Sequence, residues 1–324
     1  MRVARPRIER RAVHGVLLLD KPLGLSSNDA LQRAKRLYRA EKAGHTGTLD
    51  PLATGLLPLC FGAATKFAQV SLDADKRYLA TLRLGITTTT GDAEGEVLAE
   101  RAVDVSRADV ERACAGFVGA ILQRPPMHSA LKHEGKPLYA YARAGVEVER
   151  ELRPVTITRI DIMAGEGVEW TLDIACTKGT YVRTLAEDIG GALGCGAHLS
   201  ALRRSASGPL GIAEAHTFEV LEALDEAARD ALLLQPDALL ADWPRIRLDS
   251  EGAARFLSGM RRRIELPDAP CVRVYGPEQK AFLGGGHILA GELISTRLLS
   301  PVEAGDLLGR PRANPIESTR PSTP

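Results

Sequence analysis

The clearest pattern in the chain is an alternation over residues 76–86: Tyr78, Ala80, Leu82, Leu84 and Ile86 fall on one side, Leu79, Thr81, Arg83 and Gly85 on the other. A period of two predicts a half-buried strand. A second alternation, through Val168, Trp170, Leu172, Ile174 and Cys176, predicts another over 168–176, preceded by a strand at about 155–162. The apolar runs 15–20 and 56–61 predict buried strands. Elsewhere the period is helical. Ser26, Ser27 and Asn28 offer caps to a helix through Ala40, with Leu31, Ala34, Leu37 and Tyr38 on one face and Arg33, Lys35, Arg36 and Arg39 on the other. Further helices are predicted over 65–72, over 107–117 with Val110, Ala113, Cys114 and Phe117 inward, and over 138–144 behind Lys136-Pro137. Beyond Trp243-Pro244 the texture changes. A short helix from Asp249 or Ser250 to Ser258 and the basic triplet Arg261-Arg262-Arg263 precede short β runs at 272–275, 280–283 and 287–289, separated by Gly and Pro.

Composition bounds the class. With 324 residues, 44% hydrophobic and 26% charged, the chain reads as a soluble globular protein of about two domains. Its formal charge of +1 hides an asymmetry: residues 213–242 hold eight acidic side chains against Arg229 alone, a net of −7, which leaves +8 on the remainder. A surface so biased suits a polyanionic partner, and is equally what a solvated mixed-charge surface would carry. Five cysteines without paired spacing fit reduced thiols in the cytoplasm, and Cys195 with His198 lacks the second pair that a metal site needs. The longest uncharged run, 51–65, is too short for a membrane span. Residues 1–12 form a basic arm of net +4, loose unless a phosphate backbone orders it, and residues 311–324, rich in Pro, Ser and Thr, are expected to be disordered.

The candidate chemistry lies in two stretches. Gly44-His45-Thr46-Gly47-Thr48-Leu49-Asp50-Pro51, running on to Gly55, is a glycine- and threonine-rich loop presenting one histidine and one carboxylate, and Asp50 is the only acidic residue between Glu41 and Asp73. Pro51 biases Asp50 toward an extended conformation. An Asp-Pro pair is also ordinary turn chemistry. The second stretch is the strand-to-helix junction Gly179-Thr180-Tyr181-Val182-Arg183, where Gly179 permits a sharp turn and Tyr181 and Arg183 emerge together.

The first stretch resembles, nearly letter for letter, the active-site signature of the bacterial tRNA pseudouridine-55 synthases, of the B-type pseudouridine synthase family. Separated motifs in the right order extend the resemblance over residues 13–210. It implies a function: isomerisation of uridine 55 in the T loop of tRNA to pseudouridine, with no cofactor and no metal. It also implies roles. Asp50 is the essential carboxylate, and Arg183 pairs with it, opposing the pKa rise that burial causes. Tyr78, in Lys-x-Tyr, stacks on the base and moves a proton. Tyr181 lines the pocket and Leu202, in Leu-Arg-Arg, contacts the nucleotide. His45 occupies space left by the flipped nucleotides. Lys21, in Asp-Lys-Pro-x-Gly, and Asp92 lie near the site. Without the resemblance Tyr78 is a core aromatic, Lys21 a solvated turn lysine and Arg183 a surface arginine at a helix start.

The fold implied is α+β, a mixed and mostly antiparallel central sheet flanked by helices over residues 13–243, with a small β-rich PUA-like RNA-binding domain over 244–310. The partner implied is the tRNA T arm, met by a cytoplasmic monomer that needs no guide RNA. Two rivals stand beside it: an RNA-binding scaffold of the same fold without turnover, and a carboxylate hydrolase, which would need a second acid in the site.

Overall fold

A computed structural model describes residues 9–277 and 281–308. The alternating segment becomes the strand Lys76–Leu84 in the middle of a nine-stranded sheet. The main path of the sheet runs Gly15–Lys21, Ala53–Phe61, Ala197–Ser207, Lys76–Leu84, Glu169–Cys176, Arg153–Glu166, Gly119–Gln123. Neighbours on it are antiparallel, save Ala53–Phe61 with Ala197–Ser207, which pair in parallel from Leu202 opposite Ala53 to Arg204 opposite Gly55. The fold is the expected α+β arrangement.

The inward halves of the two alternations make the core. Ala80, Leu82 and Leu84 join Trp170, Leu172, Ile174 and Cys176 against Leu185, Ala186 and Ile189 of the helix Val182–Ala192, and against Val110 and Cys114 of the helix Arg107–Ala115. Where residues 76–86 predict one strand, the structure ends it at Leu84: Gly85 takes a φ of +85°, and Ile86 opens a separate two-stranded ribbon, Ile86–Thr88 with Val97–Glu100. The segment 65–72 is likewise divided, into the 3-10 turn Gly62–Lys66 and the helix Ala68–Asp73.

The acidic segment corrects the reading of the first helix. It folds into helices Phe218–Ala223 and Glu226–Ala231 that lie against Ser27–Leu37, where Glu222 takes Arg33 at 2.7 Å and Glu226 takes Arg39 at 2.6 Å. Two of the four cations on the basic face of that helix segment are thus neutralised within the chain. The acidic run also pins the described end of the basic arm, since both Arg11 Nη atoms lie 2.6 Å from the Asp230 carboxylate. Residues 1–8 of the arm and the tail from 309 lie outside the described residues.

Beyond residue 244 a five-stranded sheet forms from Arg245–Arg247, Ala269–Tyr275, Phe282–Leu289, Glu292–Leu298 and Arg262–Arg263. The runs expected at 280–283 and 287–289 are one strand, Phe282–Leu289, continuous through three glycines, with Lys280 outside the described residues. This sheet is docked on the first. Val16, Leu18, Leu56 and Cys60 share a core with Tyr275, Phe282, Leu299 and Leu307, and the Tyr275 hydroxyl donates to Asp237 at 2.6 Å.

Candidate active site

Asp50 sits where the signature loop leaves the short strand Ala43–His45 and before Ala53–Phe61 begins. The loop is tied down by backbone chemistry. The Ser27 hydroxyl accepts from the Leu49 N–H at 2.7 Å and donates to the Leu49 carbonyl at 3.0 Å. The Gly24 N–H reaches the Pro51 carbonyl at 2.9 Å, and the Ala53 N–H reaches that of Asp50 at 3.0 Å. Gly47, with a φ of +97°, and Gly55, with a φ of +96°, take the left-handed conformations the turn requires.

Arg183 comes from the other motif, in the first turn of Val182–Ala192. Its Nη2 stands 2.9 Å from Asp50 Oδ2 and its Nη1 3.4 Å from Asp92 Oδ2. The same nitrogens donate to the carbonyls of His128, at 2.6 Å, and Thr90, at 3.1 Å. Asp92 is held in turn by the Thr90 hydroxyl at 2.5 Å and the Glu94 N–H at 3.1 Å. The guanidinium is buried, while the Asp50 side chain remains 41% exposed on the cavity side. Burial pushes the Asp50 carboxyl above the usual carboxylate range; Arg183 opposes that push, and the Asp92 charge adds to it. The expected partner is present, and the desolvation it opposes prevails.

Two cavities meet at this pair. The smaller, of about 260 Å³, is lined by Asp50, Tyr78, Tyr181, Arg183 and Leu202, together with Lys76 and Arg204. The larger, of about 660 Å³, shares Asp50 and Arg183 and adds His45, Asp92 and Glu94. The two sequence motifs, with Asp50 and Arg183 lying 133 residues apart in numbering, are therefore brought to one place. Tyr78 arrives on the inward side of its strand, with its phenol pushed up in pKa by burial and drawn down by Arg204. Tyr181 is set by Gln123, whose side chain accepts from the Tyr181 N–H at 3.0 Å and donates to its carbonyl at 3.3 Å.

His45 lies on the larger cavity. Its Nδ1 is buried without a hydrogen-bond partner, and burial, with Arg204 adding, lowers its pKa. Lys21 does not line either cavity. It is wholly buried, donating to the carbonyls of Pro22 at 2.9 Å and Leu25 at 2.6 Å. Burial lowers it to about 8, with Asp50 and Glu94 near enough to pull it back up.

Lys76, Gln123 and Arg204 are site residues to which the sequence reading gave no role. One signal for the first was present: a lysine on the inward side of an otherwise apolar alternation is out of place unless its ammonium is satisfied. Lys76 donates to three carbonyls, those of Ser71, Leu72 and Ala74, and burial lowers it to about 8. Among the described residues no group of His, Cys, Asp and Glu has the clustering that holds a metal ion, and no helix is long and apolar enough to cross a membrane.

Comparison with known proteins agrees along the chain. Residues 35–182 match the model of the TruB family pseudouridylate synthase N terminal domain, residues 183–241 that of the tRNA pseudouridylate synthase B C-terminal domain, and residues 244–299 that of the pseudouridine synthase II TruB C-terminal region. The chain is 57% identical over 312 residues to a protein named tRNA pseudouridine synthase B from Verminephrobacter eiseniae (strain EF01-2), covering 94% of each. It is 53% identical over 301 residues to one of the same name from Chromobacterium violaceum, covering 92% of this chain and 98% of that one. Among solved structures, a chain of a Cbf5-Nop10-Gar1 complex superposes with a TM-score of 0.67 at 25% identity, over 95% of this chain and 84% of its own. On the continuous run of family models and on relatives alike over nearly their whole length, the chain belongs to the TruB family of pseudouridylate synthases, which are isomerases.

Proposed function

We propose that this isomerase converts uridine 55 in the T loop of tRNA to pseudouridine, with Asp50 as its catalytic carboxylate and the target nucleotide turned out of the RNA. The observation that carries the reading is the Asp50–Arg183 ion pair of 2.9 Å opening on a cavity lined by Tyr78, Tyr181 and Leu202. In the reaction the N1–C1′ bond breaks, the uracil turns and C5 bonds to C1′; C5 loses a proton and N1 gains one, so nothing is consumed. Three routes use a single carboxylate there: attack at C1′, attack at C6, or proton removal at C2′, and all three need Asp50 ionised. Arg183 favours that state. Tyr78 stacks on the base, Tyr181 and Leu202 bound it, and His45 meets the space beside the everted nucleotide.

A uridine inside a folded loop must leave its stack, at a cost of a few kcal/mol. Contacts to the shape and phosphates of the T arm supply that energy. The curated relatives carry the name of a tRNA synthase, whereas the structural relative is named for its complex with Nop10 and Gar1. We assign the tRNA-directed activity, in the cytoplasm, by a monomer without guide RNA or cofactor, and we read residues 244–310 as a PUA-like domain for the RNA. The hydrolase alternative needs a free second acid, and Asp92, which shares the Arg183 guanidinium with Asp50, is already taken up by Arg183, Thr90 and the Glu94 N–H.

Incubation of the purified protein with unmodified tRNA, followed by mapping of the product nucleotide, tests the proposal. Pseudouridine at position 55 alone is expected. Free uracil would establish the hydrolase, and binding without turnover the scaffold.

A further inference from the structure

Arg204 stands directly across the sheet from Tyr78, its partner in the antiparallel pairing of Ala197–Ser207 with Lys76–Leu84. Cross-strand partners project to the same face, and both side chains line the smaller cavity. Arg204 is 1% exposed and heads the wholly buried side chains in volume. Its guanidinium ties two segments of the site together and lies beside a third. Nε donates to the Leu56 carbonyl at 2.7 Å and Nη2 donates to the Gly47 carbonyl in the signature loop at 3.2 Å, while Tyr78, its cross-strand partner, lines the same cavity with its phenol drawn down by the guanidinium charge. No carboxylate pairs with it among the described residues.

That arrangement is unusual for a buried cation. An arginine cannot shed its proton, so a buried guanidinium without an acid leaves a fixed positive charge in a low-dielectric place. Its field falls on the site: Lys21, His45 and Lys76 each feel it. The direction of hydrogen bonding matters as much. A guanidinium only donates, so toward Arg204 the phenolic oxygen of Tyr78 can act only as an acceptor, which leaves its one proton for another direction. Both side chains line the cavity, and the cavity is where that proton has a partner to meet.

We propose that Arg204 is a positioning residue of the isomerisation: it fixes Tyr78 with its hydroxyl proton directed at the target base, and through Gly47 it holds the Asp50 loop to the same anchor. The proposal rests on the reading of Tyr78 as the residue that meets the base. Proton balance is kept. A hydroxyl that gives its proton to the rearranging uracil and recovers one when C5 is deprotonated ends the cycle unchanged, and the phenolate formed in between faces the guanidinium.

The test is a double-mutant cycle on the single-turnover rate of pseudouridine formation in unmodified tRNA, using wild type, Arg204→Met, Tyr78→Phe and the double variant, each checked for folding by circular dichroism. Methionine keeps most of the bulk and removes the charge. Arg204→Met is expected to slow the reaction about 100-fold, with tRNA affinity within about threefold, a difference of under about 1 kcal/mol. In the Tyr78→Phe background the same change is expected to cost no more than about tenfold, because the hydroxyl it acts through is gone and only its tie to the Gly47 carbonyl is left to lose. Penalties that simply multiply would overturn the proposal. Should Arg204→Met fail to fold, Arg204→Lys, which keeps the charge and loses the fork, goes through the same cycle with the same criterion. A second readout is independent of rate: with 3-fluorotyrosine at position 78, loss of the Arg204 charge is expected to move the phenol titration to higher pH, and an unmoved titration contradicts the assignment. Wild-type protein that forms no pseudouridine would instead remove the parent reading.

Discussion

Asp50 meets Arg183 at 2.9 Å across a boundary between protein and cavity: the guanidinium side chain is 7% exposed and the carboxylate 41%. The buried partner is held by two carbonyls and by Asp92 as well, so it is the fixed member and Asp50 the one presented to substrate. Since burial already pushes Asp50 up and Arg183 draws it down, removing Arg183 moves that pKa further up. A reaction that needs the ionised form then fails on the acid side at higher pH. Arg183→Met is expected to shift the acid limb of the single-turnover rate upward by on the order of one pH unit, besides lowering the plateau. A rate profile over about pH 5 to about pH 9 checks this. An acid limb left in place would detach Arg183 from the ionisation of Asp50.

Asp50→Asn removes the charge and keeps the shape. The rate of pseudouridine formation is expected to fall at least about a thousandfold, while tRNA affinity stays within about tenfold, or about 1.4 kcal/mol. Stability should move the other way. The folded-state pKa of Asp50 lies above its ordinary value, so protonation favours the folded state, and the ionised carboxylate near neutrality is a net burden on it. The melting temperature of the variant at pH 7 is accordingly expected at or above that of wild type. A clear drop would mean that the ion pair with Arg183 outweighs the desolvation.

Much of this site was readable because its chemistry sits where the local pattern is strongest. Tyr78 lies on a clean alternation, Asp50 lies in a glycine-hinged loop before a strand, and Arg183 lies in the first helical turn after the glycine hinge at 179. What was not readable is pairing at long range. The strand Ala197–Ser207 carries His198, Ser200, Arg203 and Arg204, whose polarity masks a central position, and only its two neighbours in the sheet reveal why Arg204 is buried. The basic face of the first helix looked free because the acids that neutralise it, Glu222 and Glu226, lie nearly 190 residues away. Among the three cap candidates the sequence offered no choice, and the structure divides the work: Ser26 accepts from the Asp29 N–H as the cap, while Ser27 is turned to the loop.

That division makes a prediction. Ser27 is buried, and it satisfies both the N–H and the carbonyl of Leu49, the residue before Asp50. Ser27→Ala leaves a buried backbone donor and acceptor without their partner, at a cost of about 1–3 kcal/mol, and frees the segment that aims the carboxylate. The single-turnover rate is expected to fall about tenfold or more, with tRNA affinity little changed. Ser26→Ala loses the helix cap and its bond to the Asp29 carboxylate, about 1 kcal/mol, and should keep the wild-type rate. Equal rates for the two variants would show that the tether does not position Asp50.

Two glycines around the site, Gly24 in the turn after the first strand and Gly55 at the end of the signature loop, differ in what constrains them, and stability measurements can separate the causes. Gly24, at a φ of +82°, has open space where a Cβ would go. Gly24→Ala therefore meets only the left-handed penalty of about 1–2 kcal/mol. Gly55, at a φ of +96°, lies opposite Arg204 in the parallel pairing, and a Cβ there would stand 2.4 Å from the Arg204 carbonyl oxygen and 2.9 Å from its nitrogen. Both are backbone atoms of a central strand and have nowhere to move. Gly55→Ala must add the cost of parting the two strands at the point where Arg204 anchors the loop, a total of at least about 3 kcal/mol. Urea titration of the two variants is expected to show the larger loss at position 55 by about 1–2 kcal/mol or more. Similar midpoints would mean that the strands part easily there, and that the register of Arg204 against Gly55 does not fix the site.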